Sequence, residues 1–242
     1  MQSGKLDYVV YVFTNRFIFA HTAFCLEQLH LKGERYMWIP VIGDAGIGRD
    51  RSIAMTRFIT TNPAPYMVML DSDIVFQPEQ MRRLVSHLKS GEYHLIGGLY
   101  AVRNGTQLSS MGWGGTLEVD GQIREVRYLA SGFTGVSRRL LQDVRDKLNL
   151  PHLHPKEWAE CYPFCEAGAR MGAGKAGENI FISEDWDFSD KARKAGYIPY
   201  ADTGILVEHI GDYNYSFRDV LIAQGLMPQI APEPGGVKSK NK

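Results

Sequence analysis

The stretch Tyr66-Met-Val-Met-Leu-Asp-Ser-Asp73 decides how the rest of this chain reads. Five apolar residues in a row predict a buried strand, and the acidic pair that follows marks the strand's carboxyl end. Residues i and i+2 of a strand project to one side, with Cα atoms roughly 6–7 Å apart. Asp71 and Asp73 are therefore expected to share a cation. Two hard oxygen ligands that leave coordination sites open suit Mg²⁺ or Mn²⁺ bound together with a diphosphate. The plainer alternative is a solvated acidic pair at the start of the helix that Pro78 opens.

Working outward, Tyr8 to Phe13 is a β-branched and aromatic run predicted as a buried first strand. Phe17 to Leu31 carries apolar residues at helical spacing, with Gly33 just beyond. Tyr36 to Ile42 predicts a second strand, about Asp50 to Thr60 a helix that ends before Pro63, and Glu79 to Lys89 a helix followed by Gly91. This β-α-β-α-β-α order calls for a mostly parallel sheet covered by helices. In such sheets ligands lie beyond the carboxyl ends of the strands, where Thr14, Asp44 and Asp71 to Asp73 fall.

Further along, His94 to Tyr100 reads as a strand and Gly112 to Tyr128 as a hairpin turning at Asp120-Gly121. Ser137 to Leu148 is a predicted helix, Pro151 to Asn179 is irregular and Gly-rich, Glu184 to Lys194 is helical, and Ile205 to His209 forms a last strand. No internal repeat or linker divides the chain. One domain over 1–230 is expected, with a donor-binding half to about 100, an acceptor and catalytic half after it, and a flexible tail at 231–242.

Composition excludes several classes. Lys+Arg and Asp+Glu both number 27 in 242 residues, so no basic excess draws the chain to nucleic acid. No apolar stretch has the length of a transmembrane segment, and the residues before Tyr8 lack the apolar core of a secretory signal. With three cysteines, too few for a disulfide framework, the expectation is a cytoplasmic protein.

Two later segments add to the acidic pair. Ile182-Ser-Glu-Asp-Trp-Asp-Phe188 sets three carboxylates beside two aromatics at a helix start, and Ile205-Leu-Val-Glu-His209 delivers an imidazole at a strand end. Imidazole is a frequent ligand for Mn²⁺-type ions, although a histidine there is also an ordinary structural residue.

Strand, D-x-D, Gly132-Phe-Thr-Gly-Val136, Ser183-Glu-Asp-Trp-Asp-Phe188, Gly196-Tyr197 and a strand ending in histidine follow one another in this order from Tyr8 to about Tyr213. In that order the chain resembles a GT-A fold glycosyltransferase, nearest the family-2-like members. The resemblance implies a Rossmann-like α/β domain that moves a sugar from a nucleotide-diphosphate-sugar donor to an acceptor hydroxyl. It implies Asp73 as the cation ligand, Asp71 on the donor ribose or on the metal through water, and His209 completing the protein ligands. Asp185 becomes the general base of an inverting reaction, with Glu184 as neighbour or substitute; the bland alternative is helix capping after Ser183.

By the same resemblance Thr14-Asn15 receives the nucleobase. The segment Gly48-Arg-Asp-Arg51-Ser52 matches an Ala-Arg-Asn segment whose arginine lies near the nucleotide or braces the acidic motif, with Ser52 where Asn is usual. Trp186, beside Asp185, is the expected acceptor contact, ahead of Trp113 and Trp158.

Weaker patterns are weighed beside these. Gly168 to Gly177 contains Gly-x-Gly-Lys but not the phosphate-loop spacing, so it reads as a flexible loop; the resemblance implies that a loop near this point closes over the donor, with Arg170 or Lys175 touching phosphate. His152, His154, Cys161 and Cys165 match no common zinc motif, and buried cysteines with loop histidines are the default reading. A metal-dependent nucleotidyltransferase is the competing enzyme class; it wants a Gly-rich basic segment after the first strand, where this chain has Thr14-Asn-Arg-Phe17. A non-catalytic nucleotide-sugar-binding module is the third reading.

Overall fold

The computed structural model of the chain describes residues 6–14, 16–43, 46–103, 105–113, 117–172, 177–211 and 214–227. Its centre is a seven-stranded sheet. The strands are β1 (Tyr8–Thr14), β2 (Tyr36–Ile42), β3 (Tyr66–Asp71), β5 (Leu95–Leu99), β6 (Ile123–Glu125), β7 (Phe133–Ser137) and β10 (Tyr200–Leu206). They lie in the order β2-β1-β3-β7-β5-β10-β6. β1 pairs in parallel with β2 and β3, and β5 with β10, while β7 and β6 run the other way.

β1 explains the layering. Its residues from Tyr8 to Phe13 are all buried, yet they alternate between two cores. Val9, Tyr11 and Phe13 pack with α2 (Ile47–Thr61), α4 (Arg138–Lys147) and α5 (Glu184–Lys194). Tyr8, Val10 and Val12 pack with α1 (Ala20–Leu31) and α3 (Pro78–Ser90). A strand covered by helices on both faces reads as one continuous apolar run, and each buried side chain of this size contributes about 1.5–3 kcal/mol. Pro78 opens α3, Gln77 and Gln80 cap each other, and Gly91 ends the helix at φ 76°.

Four sequence expectations are corrected. Phe17 to Phe19 is not helical: Phe19 N–H donates to the Ser72 carbonyl at 3.0 Å, holding the segment extended until α1 starts at Ala20. Asp120-Gly121 does turn, with Gly121 at φ 81°, but among the described residues the two arms pair only at their base, where Met111 bridges Tyr128. Thr203 N–H donates to Gln122 O instead, and β6 pairs with β10, because that edge of the main sheet is open to it. The last predicted strand is two strands. β10 stays in the main sheet, whereas β11 (Glu208–Ile210) joins β4 (Ile74–Val75) and β12 (Asn214–Tyr215) in a second, antiparallel sheet. Within the segment expected to be irregular, β8 (Gly168–Arg170) pairs with β9 (Ile180–Ile182).

β7 has no counterpart among the sequence expectations. Gly135 eases its packing against α3: a Cβ there would come within 2.7 Å of Leu88 Cδ1 and push that side chain aside. A second brace joins α3 to β10. The Asp202 carboxylate is fully buried and accepts from Arg83 Nε at 2.5 Å, Arg83 Nη2 at 2.8 Å and Gly204 N at 2.9 Å, with His87 Nε2 at 2.8 Å. A short helix, α6 (Phe217–Ala223), closes the described chain.

Candidate active site

The carboxyl ends of β1, β3 and β5 meet the start of α5 and the short sheet of β11. The period-two rule holds only within a strand, and β3 ends at Asp71, with a turn at Ser72-Asp73 before β4. Consequently the two aspartates diverge. Asp71 accepts from Arg51 Nη2 at 2.8 Å, whereas Asp73 faces His209 and Arg103. Among the described residues, no group of three or more His, Cys, Asp or Glu side chains is arranged to hold a metal.

Arg51 leaves the first turns of α2 and is 4% exposed, which a lone surface charge would never be. Its guanidinium bridges Asp71 and Glu184, the first residue of α5. Burial alone would favour its neutral form. The carboxylates of Asp71, Glu184 and Asp185 outweigh that and hold it firmly protonated. Glu184 shows the converse balance: burial raises its pKa, with Arg51 opposing. Gly48 lets the helices approach, since a Cβ there would lie 2.9 Å from both Cys165 O and Glu184 Cβ.

Tyr100 lies under the same cluster. Burial, then the charges of Asp71 and Asp185, push its phenol well above the ordinary range, so it stays neutral. Its oxygen accepts from Gly132 N at 3.0 Å. A Cβ on Gly132 would sit 2.6 Å from that oxygen and 3.0 Å from Asp71 Oδ2. Gly132 therefore keeps open the space that both side chains share.

On the other branch, Asp73 is 4% exposed. Its Oδ2 lies 3.3 Å from His209 Nε2 and accepts from Arg103 Nη2. Burial opposes ionisation of Asp73, but the groups around it, Arg103 with its fixed positive charge among them, more than offset it, and its carboxyl sits below the ordinary range. His209 Nδ1 faces the Ala101 carbonyl at 3.0 Å, which assigns the proton to that nitrogen and turns Nε2 towards Asp73. Ile210 N–H donates to Asp73 O at 2.8 Å, fixing β11 against the turn. Phe17, Phe19, Ser72, Asp73, Arg103 and Tyr215 surround a cleft of about 580 Å³ here.

The start of α5 belongs to the Arg51 branch, through Glu184. Asp185 Oδ1 accepts from Ser183 Oγ and from Trp186 N at 2.9 Å. Trp186 stacks on Tyr128 with ring centroids 4.3 Å apart and planes 2° from parallel. It also lines a neighbouring cavity of about 410 Å³ together with Gln107, Ser109, Ser110, Met111 and Gln224. Asp187 is buried and points elsewhere, accepting from Glu166 N at 2.9 Å and Arg170 Nη2 at 2.6 Å, with Lys191 Nζ at 2.7 Å.

Thr14 ends β1 beside the cleft and donates to Phe17 O at 2.5 Å. Ser52 stands apart: it is buried, donates to Gly48 O at 2.8 Å and accepts from Cys165 N at 3.1 Å, so its hydroxyl holds main chain. Arg170 is committed to Asp187. Asp44, Asn15, Lys175 and the tail at 231–242 lie outside the described residues. His152 pairs with Glu160 at 2.7 Å and stacks on Tyr162, while the buried Cys165 thiol packs 3.9 Å from Met55 Sδ. Trp158 is stacked by Arg49, and Trp113 by Arg127 and Arg193.

Sequence reading assigned no role to Arg103 or Tyr100, and took Gly132 only as part of the Gly132 to Val136 motif. Arg103 carried one usable signal: it follows the carboxyl end of β5, where the strand-end rule says ligands collect.

No family model matches the chain, and no curated protein does. Solved structures do resemble it. A197 from STIV has 16% identity and a TM-score of 0.58 over 88% of this chain and 92% of its own. GalNAc-T7, solved with UDP, GalNAc and Mn²⁺, has 10% identity and a TM-score of 0.53 over 92% of this chain and 48% of its own, so the chain spans about half its length. The fold is thus the single-domain, GT-A-like α/β architecture expected from the sequence. No described helix is long and apolar enough to cross a membrane.

Proposed function

We propose that the chain is a metal-dependent glycosyltransferase that moves a sugar from a nucleotide-diphosphate-sugar donor to an acceptor hydroxyl, with inversion. The reading rests above all on the meeting of Asp73 and His209, far apart in sequence, two residues from an Asp71 that Arg51 ties to the carboxylate opening α5. The fold it shares with GalNAc-T7, a protein solved with UDP and Mn²⁺, supports it.

A carboxylate oxygen and an imidazole nitrogen 3.3 Å apart form a donor set that fits Mn²⁺ or Mg²⁺. Asp73 and His209 are the residues to hold it. When bound, such an ion neutralises charge on the departing nucleoside diphosphate. Asp71 serves the donor rather than the ion, because Arg51 fixes its carboxylate on the other branch. Thr14 and Asp44 belong to the nucleotide end. Asp185 takes the proton of the acceptor hydroxyl, as a carboxylate within hydrogen-bond reach of that hydroxyl does. Glu184, tied to Arg51, keeps Arg51 and Asp71 in place around it, and Trp186 bounds the acceptor.

A screen of nucleotide sugars with Mn²⁺, with Mg²⁺ and with chelator tests this. The expected result is metal-dependent release of nucleoside diphosphate from one donor, abolished by Asp73→Ala. Release that survives both chelator and the substitution refutes the metal assignment; no release from any donor refutes the transferase.

A further inference from the structure

We infer that Arg103 is a donor-site residue that exchanges partners: its guanidinium holds Asp73 and His209 until a divalent cation takes them, and then passes to the donor diphosphate. The inference rests on the proposed transferase reading and adds to it a residue and an order of events.

Three observations carry it. First, Arg103 engages both groups proposed for the cation: Nη2 donates to Asp73 Oδ2, and Nε donates to His209 Nε2 at 3.4 Å. With Nδ1 committed to the Ala101 carbonyl, Nε2 is the only nitrogen His209 can offer, so guanidinium and metal compete for the same lone pairs. Second, the contact is not locked. The Arg103 side chain is 65% exposed, while that of Asp73 is 6% exposed, so the acceptor is fixed and the donor can leave into water at little cost. Third, among the described residues lining the cleft, Arg103 is the one cationic side chain and Asp73 the one anionic. A dianionic diphosphate entering that cleft meets a planar fork suited to two phosphate oxygens.

Charge decides the order. Arg103 compensates the buried carboxylate of Asp73 while no ion is present, at the expense of cation affinity. With a divalent ion held by Asp73 and His209, Arg103 would be freed from both by charge repulsion and could donate to the diphosphate instead. Cation and diphosphate therefore bind with positive coupling.

The test uses the full chain and reads binding, not turnover. Free Mn²⁺ is titrated by electron paramagnetic resonance without nucleotide, for wild type, Arg103→Gln and Arg103→Lys. Arg103→Gln is expected to bind Mn²⁺ roughly tenfold tighter, whereas Arg103→Lys, which keeps the charge, stays near wild type. Calorimetry with inorganic pyrophosphate at saturating Mg²⁺ is expected to show Arg103→Gln binding roughly tenfold weaker. Equal or weaker Mn²⁺ binding by Arg103→Gln, no Mn²⁺ binding by any variant, or unchanged pyrophosphate binding overturns the inference. Failure of the transferase reading looks different: the Mn²⁺ and pyrophosphate shifts appear, yet no nucleotide sugar is cleaved.

Discussion

Replacing Arg51 with methionine keeps most of the side-chain volume and removes the charge between Asp71 and Glu184. The side chains of these residues are 5%, 26% and 13% exposed, so the two carboxylates left behind are poorly solvated and unpaired. Removing one partner of a buried ion pair costs about 3–5 kcal/mol. The loss should also depend on pH. Burial already raises the pKa of Glu184 against the pull of Arg51, so removing that pull raises it further. A carboxyl whose folded pKa lies above its unfolded one binds more protons when folded, and stability falls as pH rises between the two values. Urea unfolding of Arg51→Met should accordingly show a cost of about 3–5 kcal/mol at pH 8 and a smaller one at pH 5. Adding Glu184→Gln should restore part of the loss at pH 8. A cost under about 1 kcal/mol, or a larger one equal at both pH values and unrelieved by Glu184→Gln, refutes the claim that Arg51 is held by charge.

Asp185→Asn should bind donor as wild type does and lose transfer by about 10²–10⁴-fold, measured as product formed per donor bound; unchanged transfer moves the base elsewhere. Arg83→Met leaves the fully buried Asp202 with His87 as its remaining side-chain partner and should cost about 3 kcal/mol in urea unfolding. Gly135→Ala brings a methyl against Leu88 and should destabilise by about 1–3 kcal/mol, relieved by Leu88→Ala in the same chain.

The three-layer plan was legible because its strongest signals are local. The runs at Tyr8, Tyr36 and Tyr66 and the caps around Pro78 and Gly91 are each decided within a few residues. β7 was not legible. Thr134 and Gly135 dilute its apolar pattern, and what favours glycine at 135, Leu88 on α3, lies far away in sequence. The candidate site divides the same way. Asp71, Asp73, Glu184 and Asp185 announce themselves as charges at strand or helix ends. Their sorting into an Arg51 branch and an Arg103 branch depends on a two-residue turn and on pairings between distant segments, which periodicity does not encode.

The reversed strand β7 has a consequence for how the molecule is made. It sits between β3 and β5 and touches both, so until residues 133–137 exist these two cannot belong to one sheet. A growing polypeptide that has just completed β5 exposes two apolar sheet borders facing a slot it cannot yet fill. Such unpaired borders invite wrong partners, which makes the interval before Phe133 emerges the vulnerable moment of its biogenesis.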